Sequence, residues 1–566
     1  MRIDSIPFGW QGMLPRALPR MLLLLLPLVF LSLFYFYPLI KIFLLSLRPE
    51  GQWQYDVFRK VFGSAYYGRI FWFTFWQAAV STALTLVLAI PGAFVFARFR
   101  FPGKKLLSAF ITVPFVLPTV VVAAAFDSLL GADGLINSLV SLCGFSFQIS
   151  IDRTIWIILA AHIFYNYSVV IRMVGGFWAQ MESSLADAAR MLGASPFTVF
   201  RKITFPLLRP AIFASGLLVF VFCFSSFGVI LILGGPGFST IEVEIYRQAV
   251  HIFNLPVAAV LSLIQILFTF AIMQIYTRFQ RKISVTLNPE SGSRSQRKAV
   301  SFSDKIILWA NIIFILLFLG FPLLSLILRS LFTESGFSPV YYTALFHNEN
   351  DSFFFIPPVQ ALLNSLGFAG ITLIMALVLG ASAAVFLAKP ASRIAAFLDP
   401  VFMLPLSTSA VTLGFAFIIA LDRPPLNLRT SLMLVPIAHT LAAFPFVVRS
   451  ILPALRSIPM NLREAASLLG ANPWQVWRTV DLPIIGRALL VAAVFAFTVS
   501  LGEFGATAFT ARPHTATMPL AIYRFLGQPG AMNYGQAMAM SSLLMLVTAA
   551  GFLCIEKIRL GQLREF

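Results

Sequence analysis

Long apolar runs dominate this sequence and limit what it can fold into. Twelve stretches of about 20 residues or more carry few charges, and about 20 residues are needed to cross a bilayer as a helix. We therefore expect an all-α polytopic membrane protein of about twelve transmembrane helices. The predicted spans lie at residues 21–46, 70–97, 107–130, 154–177, 210–233, 256–277, 305–330, 361–388, 397–420, 430–450, 487–509 and 535–555.

The charges indicate how these spans are oriented. Only 11% of the residues are charged, against roughly 25% in soluble proteins. The net charge of +19 could indicate nucleic-acid binding, but the basic residues gather in alternate loops, as they do on the cytosolic side of membranes. This pattern predicts a multi-pass protein with both termini in the cytosol and no nucleic-acid partner. One loop runs against the rule, since Arg48, Arg59, Lys60 and Arg69 fall on the predicted outer side.

The chain repeats itself. Residues 184–196 match residues 461–473 at an offset of 277, and Phe227-Gly228 match Phe504-Gly505 at the same offset. Earlier in each half the offset is 291, which fits a longer outer loop in the first half. We predict a first half at 1–278, a cytosolic linker at 279–304 and a second half at 305–566. Six spans per half return the chain to the same side, so the repeats should be parallel, with a pseudo-two-fold axis along the membrane normal.

The repeated segments, called here the first capped loop (184–196) and the second capped loop (461–473), have the signals of two short helices joined by a turn. Ser184 and Asn461 are candidate N-caps of the first helix in each loop. Glycines at the same place in both loops can adopt the left-handed conformation that ends a helix. Ser195-Pro196 and Asn472-Pro473 can then start a second helix as cap plus proline.

Glu464-Ala465-Ala466 followed by Gly470 resembles the cytoplasmic "EAA…G" loop of ABC importer permeases. The first copy carries the conservative variant Asp187-Ala188-Ala189 with Gly193. The resemblance implies the MetI-like permease fold in the bacterial cytoplasmic (inner) membrane, an external solute-binding protein and lipid as partners, and two copies of an ATPase subunit. It also implies that the eight corresponding residues contact the ATPase: Asp187, Ala188, Ala189, Gly193, Glu464, Ala465, Ala466 and Gly470.

The chain contains no G-x-x-x-x-G-K-[ST] stretch, so we expect ATP to bind on the partner and no cofactor to bind on this chain. Permeases fused head-to-tail in this way serve thiamine, iron(III) and related solutes. Several strings resemble the thiamine permease family, among them Ala161-His-Ile-Phe-Tyr-Asn166 and Thr240-Ile-Glu-Val-Glu-Ile-Tyr246. The resemblance favours thiamine, with iron(III) as the alternative.

Five residues are candidates for the solute pathway. Glu503 is an ionisable group inside a predicted span, where such groups commonly face a cavity or a partner. It would suit a cationic solute, and Phe504 offers an aromatic face for cation–π contact. Ser226 is the counterpart of Glu503, and His162 and His439 occupy equivalent places in the fourth span of each half. A structural ion pair or a helix-packing hydrogen bond explains Glu503 equally well, and for His162 and His439 repeated packing is favoured over contact with a ligand.

No cluster of Cys, His, Asp or Glu has the spacing of a metal site, so no metal site is expected. Two other classes of protein remain as alternatives. A secondary transporter driven by an ion gradient can also have parallel halves, but it does not need two capped loops. A membrane enzyme would need a nucleophile or metal motif that the outer loops lack.

Overall fold

A computed structural model describes residues 14–49, 51–53, 55–181, 184–284, 296–333, 336–347, 357–388, 393–422, 424 and 426–562. Within these residues, eleven helices are long and apolar enough to cross a membrane, or twelve when a bent pair counts as one span. The all-α fold predicted from the sequence is thus confirmed. We number the spans in chain order as Leu23–Leu47, Ala65–Arg98, Thr119–Leu142, Ile155–Gln180, Pro196–Phe224, Leu255–Phe279, Phe302–Leu331, Pro358–Leu387, the bent pair Arg393–Ser407 and Ala410–Ala420, Leu434–Arg456, Trp474–Gly502 and Ala531–Cys554.

The individual α-helices are shorter than the spans where π-helical turns or breaks interrupt them. Those of the first half are Leu14–Leu31, Tyr37–Leu47, Asp56–Gly63, Ala65–Arg98, Lys104–Val116, Thr119–Leu130, Leu135–Leu142, Ile155–Val170, Gly176–Gln180, Ser184–Met191, Pro196–Val199, Phe205–Phe224, Gly228–Leu233, Ile241–Tyr246 and Leu255–Ser284. Those of the second half are Phe302–Leu331, Val340–Thr343, Pro358–Leu387, Arg393–Met403, Ala410–Ala420, Leu434–Ser457, Met460–Leu468, Pro473–Val476, Leu482–Gly502, Thr507–Thr510, Met518–Leu526 and Ala531–Gln562.

A break lies at the same place in each half, just before span 3 in the first half and within span 9 in the second. In the first half the break lies at Leu117-Pro118, because the residue before a proline is disfavoured in helical geometry and Leu117 is extended. In the second half the helices on either side of the break meet at 94°. There Ser409 accepts a hydrogen bond from the Val411 N–H and starts the new helix. The two breaks are related by the offset of 291.

The fifth and eleventh spans end earlier than their apolar sequences predicted. Span 5 stops at Phe224 and span 11 at Gly502, each followed by a non-helical break and a short helix. Glycines allow close packing at these breaks, since a Cβ on Gly228 would collide with Thr119 Oγ1 and one on Gly505 would lie 3.1 Å from Ala410 Cβ. The break after span 5 therefore packs against the start of span 3, and the break after span 11 packs against the bend of span 9.

The two halves exchange their first spans. Span 1 packs on span 8 and on the helix Ala410–Ala420 of the second half, and span 7 packs on the helix Thr119–Leu130 of the first. A short parallel pair also joins the halves, with β1 (Phe99–Arg100) on β2 (Arg297–Lys298). A second pair, β3 (Phe332–Thr333) and β4 (Gly336–Phe337), is antiparallel. Helices extend into the predicted 279–304 linker as far as Ser284 and again from Phe302, and residues 285–295 of the linker lie outside the described part of the chain.

Candidate functional site

Each capped loop ends its first helix with the same backbone geometry. Gly193 and Gly470 have φ of 84° and 85°, in the left-handed region that favours glycine. In the first loop, the Gly193 N–H donates to Arg190 O at 2.9 Å and the Ala194 N–H to Ala189 O at 3.0 Å. These two bonds define a Schellman motif, and the second loop repeats both at 3.1 Å. The prediction made for the two glycines is confirmed.

The second helix of each loop is capped by a polar side chain. Ser195 Oγ accepts from the Thr198 N–H at 3.3 Å. In the second loop the capping is reciprocal, since Asn472 Oδ1 accepts from the Gln475 N–H at 2.9 Å and Gln475 Oε1 accepts from the Asn472 N–H at 2.8 Å. These caps agree with the sequence, but Ser184 and Asn461 are not the first-helix caps that were predicted. The helices Ser184–Met191 and Met460–Leu468 already include them, and Pro459 occupies the N-cap position of the second.

The turns of both loops present apolar side chains to the surroundings. The two apolar residues before each glycine are 89% exposed, at matched positions in the two halves: Met191, Leu192, Leu468 and Leu469. Phe197 is 70% exposed and Trp474, at the matching position, 64%. Exposed apolar patches of this kind are typical of surfaces that bind another protein.

The charged and small residues of the motif lie on the same exposed surface. Asp187 forms an ion pair with Arg190 at 3.3 Å, and both side chains are 55% exposed. Glu464 and Ala465 are exposed, and Ala466 is partly covered. Arg463 anchors the second loop, because its Nε lies 2.7 Å from Asp481 Oδ1 at the start of the next membrane helix. A rigid connection therefore runs from the exposed loop into span 11.

His162 lies inside the protein and joins three elements of the first half. The ring is 3% exposed. Nδ1 shares a hydrogen bond with Ser81 Oγ of span 2 at 3.0 Å, and Nε2 shares one with Ser226 Oγ at 2.9 Å. Ser226 belongs to the break after span 5, so His162 connects span 2, span 4 and that break.

His439 makes the equivalent connection in the second half. Its Nδ1 is 2.7 Å from Ser500 Oγ, and its Nε2 is 2.8 Å from Thr507 Oγ1. The same Nε2 lies 3.3 Å from Oε2 of Glu503. The offset of 291 pairs Ser81 with Thr372, whose hydroxyl accepts from Ser500 at 3.3 Å. Each half therefore contains a buried polar network. In the first half it joins span 2, the histidine of span 4 and the break after span 5, and in the second half it joins span 8, the histidine of span 10 and the end of span 11 with the break that follows it.

Glu503 caps the short helix that follows it. Its Oε1 accepts from the Ala506 N–H at 2.8 Å, and Oε2 accepts from the N–H and the hydroxyl of Thr507 at 3.0 and 2.7 Å. The residue is 7% exposed. With His439 at 3.3 Å, both carboxylate oxygens have protein partners in this conformation.

Phe504, next to Glu503, contacts its own counterpart in the other half. The rings of Phe227 and Phe504 are stacked with centroids 5.4 Å apart and planes 23° from parallel. Equivalent residues that touch must lie beside the axis that relates them. The structure thus brings Phe504, Glu503 and His439 together on one side of the pseudo-two-fold axis, and Ser226 and His162 on the other.

The model of the family of binding-protein-dependent transport system inner membrane components matches residues 89–285 and 376–556. The chain belongs to this family. It is a multi-pass permease of an ABC importer in the inner membrane, and such permeases work with an ATPase and a solute-binding protein.

Similar proteins share the fused layout. The thiamine transport system permease protein ThiP of Salmonella typhimurium is 25% identical over 517 residues, which cover 90% of this chain and 91% of that protein. ThiP of Brucella abortus is 27% identical over 467 residues, covering 82% and 83%. Among solved structures, a bacterial ABC transporter involved in the import of the acidic polysaccharide alginate matches 48% of this chain and 98% of its own, with 18% identity and a TM-score of 0.41.

Several residues around the axis of the permease were missed in the sequence. Phe227 was noted as part of the repeat, but its pairing with Phe504 was not foreseen; the offset of 277 was the available signal. Ser81 and Ser500 gave no signal of their own. Glu242 was also missed: it is 1% exposed and accepts from Gln265 Nε2 of span 6 at 3.0 Å. Among the described residues, no group of three or more His, Cys, Asp or Glu is placed to hold a metal ion.

Proposed function

We propose that this permease imports thiamine, which an external binding protein delivers, and that ATP hydrolysis on separate subunits drives the transport. The observation that carries the coupling mechanism is the pair of matched capped loops, each with two apolar side chains 89% exposed. Support for the solute comes from relatives named as thiamine permeases that align over 90% of the chain. Iron(III) remains the alternative solute.

Each capped loop binds one ATPase copy, so that one permease chain works with two ATPase subunits. Ala188, Ala189, Ala465 and Ala466 allow close approach of the helix to the partner surface, and Met191, Leu192, Leu468 and Leu469 fill an apolar pocket there. Asp187 lies in the first turn of its helix, where a carboxylate is favoured by the helix dipole, whereas Glu464 lies in the middle of the helix Met460–Leu468. ATP binds on the partners, and this permease carries no cofactor or catalytic site of its own.

Transport follows from a change in the contact between the two halves. The capped loops and both termini lie on the cytosolic side, where the basic loop residues gather. Binding of ATP brings the ATPase subunits together, and the loops carry this movement into spans 5 and 11. Solute and ATP shift the permease between its inward-open and outward-open states only as far as their affinities for those states differ.

Uptake of labelled thiamine into proteoliposomes that hold the permease, its ATPase and its binding protein tests the proposal. We expect accumulation that requires both ATP and the binding protein. Accumulation of iron(III) without thiamine would move the solute to the alternative. Uptake that needs only an ion gradient would overturn the ABC mechanism.

A further inference from the structure

A column of four aromatic rings crosses the pseudo-two-fold axis. Phe227 and Phe504 stack on each other at the centre. Tyr246 lies 5.4 Å from Phe227, and Tyr523 lies 5.5 Å from Phe504, measured between ring centroids. The two tyrosines are themselves equivalent at the offset of 277, so the column has the symmetry of the whole permease.

The centre of this column is closed. Phe227, Phe504 and Tyr246 are 6%, 2% and 7% exposed, and Tyr523 is half-buried. The two phenylalanines follow the ends of spans 5 and 11, which begin at the capped loops. The rings therefore close the interface between the halves at the end of these spans that is remote from the loops.

The backbone next to each phenylalanine is tied to the helix that leads to a capped loop. Ser226, which precedes Phe227, is bonded to His162 of span 4, and span 4 continues towards the first loop. Glu503, which precedes Phe504, contacts His439 of span 10, which leads to the second loop. A movement of either loop can thus reach the stacked rings through one helix and one buried histidine.

Because the Glu503 carboxylate already has protein partners, the ring faces beside it are better placed than its charge to recognise a solute. Both of its oxygens accept hydrogen bonds from Ala506 and Thr507, so the carboxylate is occupied as a helix cap. Phe227 and Phe504 instead offer flat faces that prefer offset stacking with other rings.

We propose that the Phe227–Phe504 pair is the constriction through which the solute passes, and that a planar heteroaromatic solute separates the two rings and stacks between them. Tyr246 and Tyr523 then border the opened site. The identity of the solute class rests on the proposed function, since thiamine contains two such rings, whereas the location of the constriction rests on the symmetry alone.

Two pairs of variants test the proposal in proteoliposomes with the complete importer. The double variant Phe227→Leu/Phe504→Leu keeps apolar bulk at the constriction but removes the ring faces. We expect about a tenfold loss of thiamine uptake, as the loss of a stacked or cation–π contact implies. Phe62→Leu/Phe71→Leu is the matched control, because these rings stack with centroids 6.3 Å apart and planes 22° from parallel but both belong to the first half. The control should transport at the wild-type rate.

The second test does not depend on the solute. In a background where Cys143, Cys223 and Cys554 are replaced by serine, Phe227→Cys/Phe504→Cys is bridged with a short reducible thiol cross-linker. Bridging should stop the residual uptake of this double variant and reduction should restore it to the level before bridging, while the same reagent on Phe504→Cys alone should not lower the uptake of that single variant further.

The outcomes separate the two proposals. Normal uptake by the bridged variant would refute the constriction, and wild-type thiamine uptake by the leucine variant would refute recognition by ring stacking. If the wild type carries iron(III) and no thiamine, the proposed solute fails, and the bridging test on iron(III) uptake still decides the constriction.

Discussion

Leu469 gives the sharpest test of the second capped loop. Its side chain is 89% exposed, so nearly all of its apolar surface is available for a partner to bury. Leu469→Ala removes three carbons, and at about 0.8 kcal/mol for each buried CH₂ the loss is about 2.4 kcal/mol if the ATPase buries the whole side chain. Since 1.4 kcal/mol corresponds to a factor of ten, the Kd for the ATPase at this loop should rise about 50-fold.

The assay is binding of the purified ATPase to the permease in nanodiscs. Leu490→Ala is the matched control, since it truncates the same side chain on span 11, where Leu490 is 55% exposed away from the loops. It should leave the Kd unchanged, and Leu192→Ala should weaken binding at the equivalent first loop. An unchanged Kd for both loop variants, with normal folding, would refute the assignment of the capped loops as the docking surface.

Two further substitutions probe the loop geometry and the buried network. Gly470→Ala should destabilise the loop conformation by about 1–2 kcal/mol because of the φ of 85°, and should therefore lower the uptake per ATP hydrolysed. Gly486→Ala, in a helix with open space around the glycine, should not lower this ratio. An equal ratio in the two variants would contradict this reasoning. Glu503→Gln should lower the thermal unfolding midpoint, because the amide nitrogen replaces one carboxylate oxygen and cannot accept the bond from Ala506 or from Thr507. An unsatisfied buried donor costs about 1–3 kcal/mol, whereas Glu464→Gln, on the surface, should leave the midpoint unchanged. An unchanged midpoint with loss of uptake alone would instead assign the Glu503 carboxylate to the solute.

The sequence predicted local features better than contacts between distant segments. The conformations of Gly193 and Gly470 and the cap at Asn472 follow from interactions within a few residues, and repetition made the signal doubly visible. The spans were predicted for a similar reason, since length and apolarity are properties of a single stretch.

The breaks after spans 5 and 11 could not be predicted from the sequence in the same way. Apart from Ser225 and Ser226, the residues from Phe224 to Leu233 are apolar or glycine, so hydropathy does not separate a continuing helix from a break followed by a short one. The break packs through Gly228 on Thr119, which lies more than a hundred residues away. The partners of Glu503 and the stack of Phe227 on Phe504 depend on the same breaks, so they became visible only in three dimensions.

The central claim is that the two capped loops couple ATP hydrolysis on a partner to movement of thiamine. The most direct measurement records ATP hydrolysed and thiamine accumulated in the same proteoliposomes, for the wild type and for Asp187→Lys/Glu464→Lys. Both carboxylates are exposed, so the double variant should fold and insert normally. We expect it to lose ATP-driven accumulation of thiamine. Accumulation at the wild-type ratio of thiamine to ATP would contradict the account.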